Sequence, residues 1–278
     1  NATTELNRTD CMSATQRILT TIPVIICLAA IGYGFGVSPH DVEVTNHDLR
    51  ANPEIPAIRI AQLSDLHITS QGLREAAIAE QLQIIHPDLI VLSGDVIDRH
   101  DTLPILDQFL STLGTTNKVA ILGNWEHWSD VDFDALSSVY QRHNVRLLIN
   151  TRTIYNIHSR VLHVAGMDDF TAGQPDRKLM LPPAQDGTTV LIQHSPGWFE
   201  HPDARQSNGH ADLCLSGHTH GGQVALMGMP LWTPRGSGSY SAGFYQAPGC
   251  KLYVSKGLGT SILPVRLGAK PEIAVFDL

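Results

Sequence analysis

Seven side chains able to bind a metal stand just past five apolar runs of this chain. Asp65 and His67 follow the run 58–64, Asp95 follows 88–93, and Asn124 follows 118–122. His194 follows 189–193. His218 and His220 follow 211–216, within Gly217-His218-Thr219-His220-Gly221-Gly222. The set mixes carboxylate, carboxamide and imidazole and contains no thiolate. That suits divalent ions such as Mn, Zn, Fe or Ni better than a soft-metal site. Asp95 offers a carboxylate that can bridge two ions, and Asn124 a carbonyl oxygen that binds without adding charge. Two ions about 3.5–4 Å apart polarise a phosphoryl oxygen and activate water near neutral pH. Taken singly, each residue has a plainer reading. Gly-Asp and Gly-Asn are ordinary bends, and a histidine at a strand end is usually a hydrogen-bonded structural group. Seven of them at five run ends are not explained that way.

The runs themselves define the elements that must position these groups. Short apolar runs bounded by turn residues read as buried strands. In open α/β sheets, sites form just beyond the carboxyl ends of such strands, so the seven should converge on one sheet edge. Asp65 and His67 are two apart, and strand alternation predicts that both face one side. Helical periodicity covers 72–86, 102–113 and 130–143, the last with Ser129 or Asp130 as its cap. Strand signals continue at 145–149, 153–158, 160–165, 190–193, 213–216, 252–255 and 272–277. The Gly-, Pro- and Ser-rich stretch 227–249 reads as a loop or hairpin flap. Strands alternating with helices predict an α/β sheet of partly parallel order. No linker divides residues 57–278, which read as one domain. They follow a connector, 38–56, that holds a short strand beginning at Val42, and an amino-terminal tail with apolar helix, 1–37.

Residues 18–37 run for twenty positions without a charge, long enough to cross about 30 Å of hydrocarbon as a helix. Arg8 and Arg17 precede them; Asp41, Glu43 and Asp48 follow, with no Lys or Arg before Arg50. That asymmetry puts the amino end in the cytoplasm and the domain outside a bacterial-type cell membrane. An uncleaved anchor is the expectation. A cleaved signal segment, which would export the domain, and a peripheral or core helix are the alternatives. The net charge is −8, from 19 Lys+Arg against 27 Asp+Glu, and no dense basic cluster occurs, so no nucleic acid partner is expected. The cysteines, Cys11, Cys27, Cys214 and Cys250, form no Cys-x-x-Cys pair and read as no disulfide framework. Cys214 lies inside a strand signal, where a thiol is usually a small buried hydrophobe.

The succession Asp-x-His, Gly-Asp-x-x-Asp, Gly-Asn, His, Gly-His-x-His over residues 58–220 resembles the calcineurin-like metallophosphoesterase superfamily. The ending 254–267, followed by Pro271-Glu272-Ile273, resembles its membrane-anchored bacterial phosphodiesterase branch, as does the amino-terminal apolar helix. The resemblance implies a four-layer α/β/β/α sandwich of mixed sheets with the metal site at strand carboxyl ends. It implies a phosphohydrolase using two divalent ions on a phosphodiester or pyrophosphate, membrane-proximal or of the envelope, with a lipid-linked ester among the substrates in view. Asp65, His67 and His220 would hold one ion, Asn124, His194 and His218 the other, and Asp95 would bridge them. One position departs from the family. Its members carry a histidine after the asparagine as phosphate contact and general acid; here Trp125 stands there. An indole N–H cannot serve as a general acid near neutral pH. His127 is the candidate replacement, or else it orients Asp98 or packs locally. Asp98, the family's partner of the missing histidine, is carried as a catalytic candidate with it. Asp168 and Asp169 read as a turn or as support for the site. Arg266 reads as a phosphate contact or the partner of an acid. A catalytically weak protein that binds envelope phosphates through metals is the alternative function.

Overall fold

Strands covered on both faces must be apolar throughout, and the segment Leu89–Leu92 is buried at every position. A computed structural model describes residues 14–179, 186–205 and 209–278 of the chain; Arg8 and Cys11 lie outside them. In chain order the elements are α1 (Ala14–Gly36), β1 (Glu43–Asp48), β2 (Arg59–Leu63), α2 (Leu73–Ile85), β3 (Leu89–Leu92), α3 (Leu103–Thr112), β4 (Asn117–Ala120), α4 (Asn124–Trp128), α5 (Phe133–Arg142) and β5 (Val145–Leu147). There follow β6 (Thr151–Ile157), β7 (Arg160–Gly166), β8 (Thr188–Ile192), α6 (Pro202–Arg205), β9 (Ala211–Ser216), β10 (Ala225–Leu226), β11 (Met229–Pro230), β12 (Gly243–Ala247), β13 (Cys250–Val254) and β14 (Glu272–Asp277).

Two six-stranded mixed sheets result, ordered β1-β14-β2-β3-β4-β5 and β12-β13-β9-β8-β7-β6. β2 to β5 run parallel, as do β7, β8, β9 and β13, and the antiparallel pairings fall toward the sheet margins. Ile60, Val91 and Val119 of the first sheet meet Val164, Ile192 and Leu215 of the second in a core between them. α2, α3 and α5 cover the first sheet's other face through Ile78, Phe109 and Leu136. The fourth layer is thin. Trp198 and Phe199, on the 3-10 turn Pro196–Glu200, and Ala204 of α6 close the second sheet's outer face. The carboxyl ends of β2, β3, β4, β8 and β9 are therefore brought to one end of the double sheet.

Several local expectations are corrected. α5 starts at Phe133, and the Asp132 carboxylate caps it by accepting from the N–H groups of Asp134 and Ala135. Ser129 and Asp130 are not the cap, because α4 occupies the chain up to Trp128 and the Ser129 hydroxyl donates back to the Trp125 carbonyl. The flap stretch contains β12, paired antiparallel with β13. β1, in the connector, is an edge strand running parallel to β14.

The cysteine reading also changes. Cys214 and Cys250 are joined in a disulfide, with Cα atoms 6.0 Å apart. They are 36 residues apart in sequence, but β9 and β13 are neighbours in the sheet, a proximity that spacing alone does not reveal. Cys27, on α1, is a free exposed thiol. Replacing the pair (C214A with C250A) opens this covalent loop and is expected to lower the unfolding free energy by about 2–4 kcal/mol. A urea titration reads the shift; an unchanged midpoint would show that the bond adds no stability.

Candidate metal centre

All seven metal-binding candidates are buried and lie beyond strand carboxyl ends. The strand ladders continue past the strands themselves. The Asp65 N–H donates to the Gly94 carbonyl, the His67 N–H to that of Asp95, and the Gly217 N–H to that of His194. These bonds press the loops together. A Cβ on Gly217 would lie 1.8 Å from Ser64 Oγ and 2.3 Å from Asp65 Oδ2, so only a hydrogen fits there.

Five of the seven residues hold left-handed backbone: Asp65 (φ 51°), His67 (43°), Asp95 (52°), His218 (69°) and His220 (52°). Non-glycine residues there cost about 1–3 kcal/mol each and persist only where the surroundings enforce them. This overturns the expectation from strand alternation. β2 ends at Leu63, and Asp65 and His67 converge through two left-handed turns instead.

The donor atoms form two groups, Asp65 with His67 and His220, and Asp95 with His194 and His218; within each, the ligand atoms lie within 4.8 Å of one another. In the first, His220 Nε2 is 3.1 Å from His67 Nε2 and 3.3 Å from Asp65 Oδ1. In the second, His194 Nε2 is 3.1 Å from Asp95 Oδ2, and Asn124 Oδ1 is 2.6 Å from His218 Nδ1. Asp95 Oδ2 is also 3.9 Å from His67 Nε2, so one carboxylate faces both groups.

The outward ring nitrogens are already committed. His67 Nδ1 donates to Asp98, His194 Nδ1 to the Ser93 carbonyl at 2.8 Å, and His218 Nε2 to the Arg235 carbonyl at 2.9 Å. Each such bond fixes the tautomer and turns the opposite lone pair inward, as metal-binding histidines require. His194 Nε2 is buried, and its 3.1 Å contact with Asp95 Oδ2 lies outside hydrogen-bonding geometry. A buried orphan nitrogen is costly, and a divalent ion would satisfy it. The donor set thus fits divalent metal.

The charges agree with that fit. Burial opposes protonation of His67, but Asp98, Asp95 and Asp65 hold its pKa above the ordinary value. Burial acts likewise on His194, and Asp95 raises it well above. Burial and the neighbouring His194 lower His218; burial, His67 and Arg266 push His220 well down. Asp95 is held far below the carboxylate range by His194 and His67, against the effect of burial.

Glu126 is a site residue the sequence reading missed. Its carboxylate accepts from the N–H groups of Asp95, Val96 and Gly123, tying the loops after β3 and β4 together. Burial and the Asp95 charge raise its pKa to about 7. The available signal was its place three residues after Gly123, where a glutamate reaches back to the first turn of a helix.

A cavity of about 610 Å³ opens onto Asp95, Asn124, His218 and His220, walled on one side by Trp125 and Trp232. Trp125 stands edge-on to His67, and its backbone N–H donates to Asp95 Oδ1. His127 does not line this cavity. Its Nε2 bonds Asp168 Oδ1 at 2.7 Å and its ring stands edge-on to Phe133, because the end of β7 offers it a carboxylate. Asp98 serves His67, not His127. Asp169 closes a turn by accepting from Thr171 and Ala172 and also takes the Ser195 hydroxyl. Arg266 is buried, forms no ion pair among the described residues, and stands 3.5 Å from His220 Nδ1 at the edge of the site. It donates to the carbonyls of Gly259, Lys256 and Ala269, and burial brings its pKa down to about 9.

Residues 58–222 match the calcineurin-like phosphoesterase family. The chain is 32% identical to the uncharacterized metallophosphoesterase YkuE of Bacillus subtilis (strain 168), covering 89% of this chain and 90% of that protein. It is 28% identical to phosphodiesterase YaeI of Escherichia coli (strain K12), covering 93% and 96%. It is 30% identical to a transmembrane protein with metallophosphoesterase domain from Bos taurus, covering 85% of this chain and 56% of that one.

The raised histidines set a pH dependence for metal loading. His67 and His194 hold protons to a pH above the ordinary histidine value, and an incoming ion must displace them. Affinity for Zn or Mn is therefore expected to fall as pH drops and to rise with proton release as pH increases. Calorimetric titration near neutral pH in buffers of different ionisation enthalpy measures this; a buffer-independent heat would refute it.

Proposed function

The chain belongs to the calcineurin-like phosphoesterase family, and on that premise we propose that this metal-dependent phosphoester hydrolase holds two divalent ions and cleaves a phosphodiester or pyrophosphate beside a membrane. The strongest support is Asp95 Oδ2, faced by His67 Nε2 from one donor group and His194 Nε2 from the other. Asp65, His67 and His220 would hold one ion, Asn124, His194 and His218 the second, with Asp95 shared. When bound, the ions supply Lewis acidity and an activated water.

The chain's own groups do the rest. Asp98 and the Ser93 and Arg235 carbonyls fix the ring orientations. Burial shields Asp65, His67 and His194 from bulk water, and Trp125 walls the cavity onto which the other donors open. The titratable side chains lining the cavity are Asp95, His218, His220 and Arg235, which leaves no free general acid among its described residues. A substrate whose leaving group departs without protonation fits such a site best, as a phosphate does from a pyrophosphate. His127 acts at a distance, holding α4, and with it Asn124, against Asp168. The diesterase name of the Escherichia coli relative supports the ester class.

α1 is the membrane anchor in this proposal. Among its described side chains, Ile22, Val24, Ile25, Ile26, Leu28 and Ile31 are exposed, and the helix is long and apolar enough to cross a bilayer. Arg17 before the span and Asp41, Glu43 and Asp48 after it favour a domain outside the cytoplasm. The Cys214–Cys250 bond supports an oxidising compartment. Trp125 favours a second reading, a weak hydrolase that mainly binds envelope phosphates.

Two measurements test these proposals. Metal analysis of the purified chain is expected to give two ions, and D95A to lose at least one; a single ion in both would refute the binuclear site. In assays with Mn, Zn, Fe or Ni, W125H is expected to raise turnover of alkyl diesters relative to aryl diesters by about tenfold or more, because an imidazole can protonate the poorer leaving group. H127A is expected to slow both classes equally, and selective loss on alkyl diesters would restore it as the acid. No turnover of any ester at full metal content would favour the binding role.

A further inference from the structure

Beside the cavity mouth lies an apolar strip that the chemistry above does not use. Leu226, Met227, Met229 and Leu231 stand exposed on and just after the β10–β11 hairpin. Ile262 and Leu263 stand exposed on the loop 261–267. Trp232 and Ile262 also line the cavity, so the strip is one lip of its opening. The hairpin tip is a costly place for such a surface. Met227 (φ 53°) and Gly228 (φ 79°) form a two-residue turn with both backbones left-handed, where Asn or Asp is the usual first residue. Met227 is 91% exposed there. Neither water nor the backbone gives a reason for methionine at that point.

The strip is tied to the end of α1. Arg266 N–H donates to the Gly34 carbonyl at 2.9 Å, and Gly34 is buried. A Cβ on Gly34 would come within 3.3 Å of both Arg266 O and the Val265 side chain, so the glycine lets the helix end seat on this loop. The same loop joins the hairpin: Leu267 N–H donates to Gln223 O and Ala225 N–H to Leu267 O. Helix end, loop and hairpin thus form one hydrogen-bonded patch. Its charge is one-sided. From Gly221 to Tyr245 the only charged residue is Arg235, and from Gly257 to Ala269 it is the buried Arg266. An apolar surface without acids, continuous with a helix able to span a bilayer, is suited to a lipid interface.

We infer that the strip formed by the β10–β11 hairpin and the 261–267 loop is a second membrane contact that seats the cavity mouth on the bilayer where α1 enters it. The substrate is then an amphipathic phosphoester whose apolar part stays in the lipid while its phosphate reaches Asp95, Asn124, His218 and His220. This rests on the proposal that α1 is an anchor and that the cavity hydrolyses phosphoesters.

The test uses the full chain reconstituted with metal into phosphatidylcholine–phosphatidylglycerol vesicles, some carrying acyl chains brominated near the headgroup. Flotation reads the anchor, tryptophan quenching reads the strip, and hydrolysis of a soluble aryl diester reads the cavity. Wild type is expected to show quenching that W232F removes. M227E with L231E, at positions outside the cavity lining, should still float and cleave the soluble diester, yet lose the Trp232 quenching. Its turnover of a vesicle-embedded phosphodiester should fall by about tenfold. Flotation without Trp232 quenching, with both substrates cleaved equally by wild type and variant, would overturn the strip while leaving the anchor intact. Crosslinking into a dimer through the hairpin, without quenching, would show that a second copy covers it and would likewise overturn it. Failure to float would overturn anchor and strip together. Loss of soluble-diester turnover with quenching retained would leave the membrane contact standing and count against the hydrolase site alone.

Discussion

The whole site depends on the apolar core that fixes the two sheets against each other. Asp65, Asp95 and Asn124 come from loops of the first sheet, with His67; His194, His218 and His220 come from the second. Neither donor group is complete on one sheet, since each takes members from both. Across the seam between the sheets His194, its pKa raised against burial by Asp95, faces the Asp95 carboxylate at 3.1 Å, and each would be expensive alone. The apolar packing between the sheets therefore has to set their distance and angle closely enough for atoms 3 Å apart to meet.

That closeness is obtained by spending stability locally. Left-handed backbone at five of the candidate ligands, and a glycine pressed against Ser64 and Asp65, are tolerable only because the strands behind them are buried on both faces. Glu126 adds a clamp from beneath, binding the backbone of two adjacent loops through one carboxylate. The result is a site whose rings are oriented by the protein's own hydrogen bonds.

Trp125 gives the cavity an aromatic wall. Trp128 stands edge-on to it, and Trp232 also lines the cavity. Apolar surface then runs outward from the donors toward the hairpin and the end of α1. A cavity polar at its floor and apolar at its lip is the feature on which the proposed amphipathic substrate rests.

Much of this was legible from residue order. Apolar runs mark strands because both faces of those strands are covered, and the donor residues stand at run ends because loops there are free to carry them. The apolar segment 18–37 is readable because an uncharged span of that length is a local property. Other features depend on contacts that sequence order does not encode. Cys214 meets Cys250 because β9 and β13 are neighbours. Asp98 turns to His67, and His127 to Asp168, because the folded chain puts those partners nearest. The left-handed turns at Asp65 and His67, the clamp of Glu126 and the choice of which ring nitrogen faces inward follow from loop packing across the seam. Hydrophobic pattern and local motif act over a few residues, so residue order reveals most elements and the candidate donors at their ends. How those donors pair is a matter of folding, because it depends on distances between segments far apart along the chain.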